Sequence, residues 1–236
     1  MMANEQPHRV ALYWAPRPDS VLWQTGSPWL GRDAATGERL TQPTIDGIAT
    51  GIFEALTAEP RRYGWHATLK PPFRLREGTD LMDVDQAVQT LASRFKTGLM
   101  PALRVEPLGN FLALRPQGEP VAANALAAAC VEALQPLSRP LSSEDLQRRR
   151  RAPLTPHQDA LLQRWGYPWV FDEFRFHCSL TGPLDGLDAD SREALRQVAN
   201  KTFNHLPPEP LESIAVFVEP APGADFLLHR HWELSA

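Results

Sequence analysis

The pattern of hydrophobic and polar positions divides the chain into short alternating runs and amphipathic helices. Alternation over Val10–Ala15 predicts a first strand. Apolar residues at helical spacing predict a helix over Thr44–Thr57 and a second one that begins after Thr79 as N-cap and ends at Gly98. Residues 16–37 are rich in Trp, Pro and Gly and show no clear period, so we expect an ordered loop there.

The middle of the chain combines a hairpin with helices. Alternating runs at Leu103–Val105 and Phe111–Leu114 flank Gly109-Asn110, which is a hairpin signal. The alanine-rich segment Val121–Leu134 predicts a helix. Thr155–Trp165 opens with a capping box and a proline at the first helical position, which also predicts a helix.

Two histidine-containing segments of similar sequence form the main chemical signal. The first is Tyr63–Phe73 and the second is Phe174–Leu184. Of the seven histidines, only His66 and His177 have a hydroxyl residue two positions on that is itself followed by leucine. The repetition indicates paired function, because a single histidine on a strand is more often structural.

The order of elements around the two histidines also repeats. Each predicted histidine strand is followed by a helix and two strands; in the second copy the helix has Asp190 and Glu193 as a capping pair, and the strands are Ile214–Val218 and Phe226–Trp232. This predicts an internal duplication. We therefore expect an α+β fold with two pseudo-symmetric lobes in one bilobal domain over residues 1–236. Antiparallel sheets flank a central cleft, helices lie outside, and residues 119–166 form a helical insertion.

Strand geometry predicts which side chains of each segment face the cleft. Alternate residues share one face of a strand. The cleft-facing sets are His66, Thr68 and Lys70 in the first segment, and Arg175, His177, Ser179 and Thr181 in the second. Each set offers a proton carrier, a hydroxyl and a cation, which suits a phosphoryl group attacked from one side and released on the other. For Lys70 and Arg175 an exposed or ion-paired position is an equal alternative.

These segments resemble the two-histidine (2H) phosphoesterase superfamily, whose signature is a duplicated His-x-[Thr/Ser]-x motif. The longer stretches, Arg62–Phe73 and Gly166–Gly182, are similar to a poorly characterised branch associated with phosphonate-utilisation operons. The opening Arg9–Ala15 and the Trp-rich segment after it also match this branch. The resemblance covers nearly the whole chain, and Cys178 occupies a variable position of the motif.

The resemblance implies a phosphoric diester hydrolase with no metal and no other cofactor. His66 and His177 would serve as base and acid in an order that the pseudo-symmetry leaves open. Thr68, Ser179, Lys70 and Arg175 would hold the phosphoryl group. Tyr63 either lines the cleft or belongs to the core. The implied substrate is a small cyclic phosphodiester, and the branch points to a ribose cyclic phosphate from phosphonate breakdown.

Composition limits the partners. With 43% hydrophobic and 22% charged residues the chain is typical of a globular protein, and its net charge of −4 gives no general attraction to long nucleic acid. Apolar runs are too short for a membrane span, and Cys130 and Cys178 suggest no disulfide framework, so we expect a cytoplasmic protein. The expected partner is a small phosphorylated substrate; the sequence carries no prediction of oligomeric state.

Other functions compete with this one. RNA end processing or 2′–5′ ligation, and a binding module that holds a nucleotide or sugar phosphate without turnover, both fit a two-histidine cleft. His229-x-His231 would place two rings on one strand face as metal ligands, without an evident third ligand. Arg148–Arg151 ends a short predicted helix, and a solvated surface is favoured there over a lid or phosphate clamp.

Overall fold

The computed structural model describes residues 6–236 and shows an α+β fold, as predicted. The strands are β1 Arg9–Trp14, β2 Ala67–Phe73, β3 Gly98–Leu99, β4 Leu103–Leu108, β5 Phe111–Pro116, β6 Cys178–Ser179, β7 Pro210–Leu211, β8 Ser213–Glu219 and β9 Leu227–Glu233. The α-helices are α1 Val21–Leu30, α2 Thr50–Leu56, α3 Ala58–Tyr63, α4 Leu81–Ala92, α5 Val121–Leu134, α6 Ser143–Arg149, α7 Pro156–Trp165 and α8 Ala189–Phe203. Short 3-10 helices cover Gln135–Leu137 and Phe171–Glu173.

An antiparallel sheet organises the molecule. Its strand order is β4-β5-β6-β2-β1-β8-β9, and β3 pairs separately with β7. The two histidine strands, β2 and β6, are neighbours at the centre, joined by the single residue pair Ala67↔Cys178. Each side of this junction is therefore an antiparallel sheet of its own, made of three or four strands.

The predicted repeat of strand, helix and hairpin is present, but the hairpins change sides. β2 is followed by α4 and the hairpin β4–β5, and β6 is followed by α8 and the hairpin β8–β9. The first hairpin pairs with β6 through β5, whereas the second joins the side of β2 through β1. Each half of the sheet is thus completed by a hairpin from the other repeat, and β1 is an additional strand on one side.

Helices cover the sheet and close the core. α4 packs on α5, β8 and β9, α5 packs on β2, and α8 packs on β4. The inward side of α4 is the predicted apolar stripe, of which Val84 and Val88 are fully buried. Asp80, rather than Thr79, caps this helix through a capping box, and the helix ends at Ser93 rather than at Gly98. Within the described part of the chain, no helix is long and apolar enough to cross a membrane.

The segment after β1 is a helix and not the loop that we expected. α1 begins after the N-cap Ser20, whose side chain accepts a hydrogen bond from the Trp23 backbone N–H, and it ends at the left-handed Gly31. Trp23 and Trp29 are both 1% exposed. Burial of these rings stabilises a helix whose glycine and proline content hides it from pattern analysis.

Other element boundaries moved by a few residues. The predicted helix over Thr44–Thr57 begins only at Thr50 and is followed directly by α3. α8 is capped by Asp188 rather than by the Asp190 pair. The helices Val121–Leu134 and Thr155–Trp165 lie where the sequence predicts them, the latter with its capping box and a C-cap at Gly166.

A buried ion cluster joins β1 and β8. Glu219 has no exposed surface, and its carboxylate accepts hydrogen bonds from Arg9, Arg62 and the Gly223 backbone N–H. Although burial alone raises the pKa of Glu219, hydrogen bonding and charge from Arg9 hold this pKa below its usual value. Two guanidinium groups share one carboxylate, so the cluster keeps a net positive charge.

Gly26 on α1 gives a test of the packing behind the first histidine. A Cβ atom at Gly26 would lie 2.1 Å from the indole of Trp65, which is fully buried and precedes His66. We expect Gly26→Ala to lower the free energy of unfolding by about 1–3 kcal/mol, because the ring has to move in a close-packed core. Urea denaturation measures this change.

The matched control is Gly51→Ala in α2, where a Cβ would meet no atom within 4 Å. There the substitution removes only backbone freedom, so we expect stabilisation of roughly 0.5–1 kcal/mol. Equal effects at the two positions would contradict the packing assigned to Trp65.

Candidate functional site

The first histidine is fixed by a main-chain carbonyl. His66 Nδ1 lies 2.8 Å from the Gly64 carbonyl oxygen. Because a carbonyl only accepts, Nδ1 carries the proton and the neutral ring leaves Nε2 free as a base. Gly64 has φ 83°, and a Cβ there would lie 2.5 Å from the Ala34 side chain, so the position requires glycine.

The second histidine is held in the same way. His177 Nδ1 lies 2.7 Å from the Arg175 carbonyl oxygen, again two residues earlier in the chain. Its Nε2 is therefore also the nitrogen available for chemistry. The two segments repeat a local geometry, not only a sequence pattern.

The pairing of β2 with β6 brings the two motifs together. Ala67 lies opposite Cys178, so the residues on either side of this pair, His66 and Thr68 in one segment and His177 and Ser179 in the other, lie at the same junction. Thr68 Oγ1 is 3.2 Å from His66 Nε2. His66, Thr68 and Ser179 line a cleft of about 490 Å³, which we call the histidine cleft. His177 adjoins it, with its ring 5.7 Å from that of Phe111 on the cleft wall.

Burial sets the protonation of both histidines. It lowers the pKa of His66 to about 4, and the nearby His177 contributes to the same shift. Burial also lowers the pKa of His177 from its usual value of 6.5. Both rings are therefore mainly neutral near pH 7, and an anion bound between them would raise both pKa values.

Tyr13 is a cleft residue that the sequence did not reveal. Its ring stacks on His66 with 3.7 Å between ring centroids and 23° between planes. Tyr13 is fully buried, and its hydroxyl has no hydrogen-bond partner among the described residues. It lies opposite Thr68 in the ladder between β1 and β2, which explains its position beside both polar groups. It is one position of the alternating run that predicted β1, and that run carried no sign of a site.

Tyr63 lines the histidine cleft, with its ring centroid 6.3 Å from that of His66. The sequence left open whether Tyr63 lines the cleft or belongs to the core. Its ring has both roles, since it also packs against Phe226 with ring centroids 5.1 Å apart. The Arg62 guanidinium lies 5.6 Å from the Tyr63 ring.

Lys70 does not face the cleft, which corrects the prediction. Leu12 pairs with Lys70 and Tyr13 pairs with Thr68, so Leu69 is an extra residue in a β-bulge. A bulge shifts the alternation by one position and turns Lys70 to the opposite face of the sheet. Lys70 is 2% exposed, and its ammonium group donates to the Val131 carbonyl and the Gln135 side chain at 3.4 and 3.3 Å; burial lowers the pKa of Lys70 to about 8.

Arg175 does not face the cleft either. β6 begins only at Cys178, so regular strand geometry does not extend back to Arg175. Its exposed guanidinium donates to the Asp172 and Phe174 carbonyl oxygens at 2.8 and 2.7 Å. The residue contributes to the site through its own carbonyl, which fixes His177, and not through its charge.

The rival pair His229 and His231 is separated by a second bulge. β9 has one extra residue, His229, between the partners of Val216 and Phe217. His229 Nε2 lies 3.1 Å from Asp85, whereas His231 Nδ1 lies 3.0 Å from Ser213 Oγ. Among residues 6–236 no three His, Cys, Asp or Glu side chains group as ligands for a metal ion. The two rings therefore do not share a strand face, and the metal hypothesis that depended on this shared face is wrong.

Arg149 departs from the solvated surface that we favoured for its arginine run. It stands at the end of α6, is half-buried and lines the histidine cleft. Its guanidinium lies 5.6 Å from the Tyr167 ring, and its buried Nε has no hydrogen-bond partner among the described residues. Arg148 and Arg150 instead pair with Asp145 and Asp159.

Comparison with known proteins places the chain in a family. A family model described as "Protein of unknown function (DUF1045)" matches residues 68–227. The chain belongs to this family. The matched region contains the second histidine motif and begins two residues after His66, and the assignment agrees with the narrower resemblance drawn from the motifs.

Two curated relatives carry the name "Ribose 1,5-bisphosphate phosphokinase PhnN". The protein from Janthinobacterium sp. (strain Marseille) is 40% identical over 229 residues, 96% of this chain and 51% of that protein. The protein from Laribacter hongkongensis (strain HLHK9) is 41% identical over 223 residues, 94% of this chain and 51% of that protein. The chain therefore spans about half the length of these relatives.

Solved structures resemble the overall chain path loosely. The E. coli LigT complex with phosphate gives a TM-score of 0.44 at 10% identity, covering 98% of this chain and 99% of that one. A structure titled "Crystal structure of phosphoesterase" gives 0.43 at 11% identity, covering 98% and 100%.

The histidine geometry predicts an NMR titration. In the free protein we expect the His66 ring to be the Nδ1–H tautomer and to gain its second proton only as the pH falls through about 4. Inorganic phosphate should move the midpoints of His66 and His177 upward, because an anion stabilises the imidazolium form. Two-dimensional ¹H–¹⁵N spectra measure both, with the exposed His205 as a resonance outside the cleft. A neutral Nε2–H tautomer at His66 would contradict the assigned hydrogen bond.

Proposed function

We propose that the protein is a metal-independent phosphodiesterase that opens a small cyclic phosphodiester by the paired action of His66 and His177. One observation carries this proposal: each Nδ1 is held by the carbonyl oxygen two residues earlier, so that neither Nε2 carries the ring proton, and both histidines flank the single residue pair that joins β2 to β6. Each histidine also has a hydroxyl residue two positions on, Thr68 or Ser179, in the same cleft. This is the arrangement needed for in-line attack and departure.

We assign His66 as base and His177 as acid. Burial lowers the pKa of His66 to about 4, so its ring is neutral near pH 7, and its unprotonated Nε2 takes a proton from the attacking water while the bound anion raises its basicity. The water oxygen forms a bond to phosphorus while one ring P–O bond breaks. Protonated His177, whose pKa the bound anion raises, gives its proton to the leaving alkoxide. Thr68 and Ser179 donate hydrogen bonds to the non-bridging oxygens.

The positive charge for the transition state comes from a different residue than the sequence predicted. Lys70 lies on the other face of the sheet and Arg175 is turned to carbonyl oxygens. Arg149 is half-buried on the cleft wall and forms no ion pair within residues 6–236, so its guanidinium charge is available to a phosphoryl oxygen. We therefore assign the charge-stabilising role to Arg149.

The substrate we favour is ribose 1,2-cyclic phosphate 5-phosphate. Cleavage of its bond between phosphorus and O2 by water gives ribose 1,5-bisphosphate, the compound named in the curated relatives. Phosphokinase activity is not part of the proposal, because the sequence holds no Gly-Lys-[Ser/Thr] phosphate-binding loop. The relatives are about twice as long, and a hydrolase region next to a kinase region would fit their size. A cytoplasmic setting and a small phosphorylated partner belong to the same proposal.

Phosphorus NMR of chelator-treated protein with this substrate tests the reaction. We expect the cyclic phosphate signal to convert to a monoester. His66→Ala and His177→Ala should each lower the rate by at least about 100-fold, because each removes an acid–base partner. His205→Ala, an exposed position, is the matched control and should turn over normally.

Three outcomes would contradict this reading. Full activity in either cleft variant would exclude the paired mechanism. Loss of activity with chelator would indicate a metallohydrolase. Saturable binding by a folded protein without any product would favour the binding-module alternative.

A further inference from the structure

A second and larger cavity continues from the histidine cleft. It has a volume of about 1040 Å³ and shares Arg9, Tyr63, Pro71, Pro72 and Arg149 with the cleft wall. Its lining includes eight arginines and Lys70 but only two carboxylates, Glu132 and Asp145. We call it the arginine groove. In a protein with a net charge of −4, such a concentration of positive charge in one place marks an anion site.

Three arginines of the groove are held side by side by main-chain pairing. The Arg139 N–H donates to the Arg74 carbonyl and the Arg76 N–H donates to the Leu137 carbonyl, both at 2.8 Å. Arg74, Arg76 and Arg139 are exposed residues. Within residues 6–236, none of the three forms an ion pair. The backbone of these arginines is thus fixed by hydrogen bonds, while their charged groups make no ion pair that would stabilise the fold.

Other cations link this trio to the cleft. Arg149 lines both cavities, and its buried Nε has no protein partner in the described chain. Arg9 and Arg62 also line the groove, and Glu219 beneath them neutralises only one of their two charges. Positive charge is therefore continuous from the reacting centre into the groove.

The groove suits phosphate better than nucleobases. Binding of single-stranded nucleic acid needs open aromatic faces on which bases stack. The aromatic rings at the groove already have cations over them: Lys70 lies 4.9 Å from the Phe73 ring, Arg164 lies 4.7 Å from the Trp165 ring, and Arg62 lies 5.6 Å from the Tyr63 ring. The lining offers many guanidinium donors and few free ring faces.

We propose that the arginine groove is a second phosphate-binding subsite, in which Arg74 and Arg139 bind a phosphomonoester carried by the same small substrate whose cyclic phosphate reacts at the histidines. The ligand class is a sugar phosphate with two phosphoryl groups separated by the sugar. Arg149 lies between the two groups. This inference rests on the proposed function for its kinetic consequence, but binding to the groove does not require turnover.

The binding test uses ribose 5-phosphate, which has no cyclic phosphate to react. Isothermal titration of the full chain should show binding to wild type and to His66→Ala. The double variant Arg74→Gln/Arg139→Gln should weaken it by roughly 10–100-fold, the effect of losing charged hydrogen bonds. Arg94→Gln/Arg230→Gln is the control, since it removes the same charge from exposed positions outside both cavities. Equal affinity in the groove variant and wild type would overturn the subsite.

The kinetic test compares ribose 1,2-cyclic phosphate with and without a 5-phosphate. In wild type the 5-phosphate should raise kcat/KM by roughly 10–100-fold, mainly by lowering KM, because charged hydrogen bonds to it add binding energy in both ground and transition state. The groove variant should lose this preference while keeping its rate on the substrate without the 5-phosphate. A variant rate that falls equally on both substrates would overturn the assignment, since it would mean a structural effect.

The two tests separate the subsite from the reaction. No turnover by wild type, together with ribose 5-phosphate binding that depends on Arg74 and Arg139, would refute the proposed function and support the subsite. Preference for an oligonucleotide with a cyclic phosphate end over ribose 1,2-cyclic phosphate 5-phosphate, lost in the same variant, would overturn the small-substrate proposal and favour RNA end processing.

Discussion

The site depends on one contact, the pairing of Ala67 with Cys178 at the middle of the sheet. Both side chains are fully buried, and each follows a histidine and precedes a hydroxyl residue. Because neighbouring residues on a strand alternate between faces, burial of this pair on the helix-covered side turns the histidines and hydroxyls to the other side. Burial of these two small residues therefore determines where the two histidines and two hydroxyl residues come together. The repeated sequence motif encodes the same order in both segments: a histidine, a buried residue and a hydroxyl residue.

Much of the fold could be predicted, because most elements follow their local signals. The hairpin at Gly109-Asn110, α5 and the capped α7 lie where composition and capping residues place them. α1 escaped prediction because its helical conformation is stabilised by buried tryptophans and not by propensity. The exchange of hairpins between repeats could not be predicted either. Strand pairing depends on packing between segments far apart in the chain, and a short stretch of sequence carries no information about it.

At the site, the sequence pattern predicted the histidine and hydroxyl residues correctly, but it did not predict which cations lie in the cleft. The rule of alternating faces holds only in an unbroken strand. It failed for Lys70 and for His229, where a bulge adds a residue, and for Arg175, which precedes the short β6. Arg149 was visible in an arginine run, but only the packing of α6 shows which member of the run turns inward. Tyr13 carried no signal beyond a strand position.

The place of β1 in the sheet has a consequence for how the protein is made. β1 is paired on one side with β2 and on the other with β8, at residues 213–219. During synthesis, about two hundred residues have to be added after β1 before β8 can pair with its second edge. Contacts of such long sequence separation slow folding and leave an open strand edge in the meantime. We therefore expect the nascent chain to need protection from association until β8 has left the ribosome, and the histidine cleft to form late.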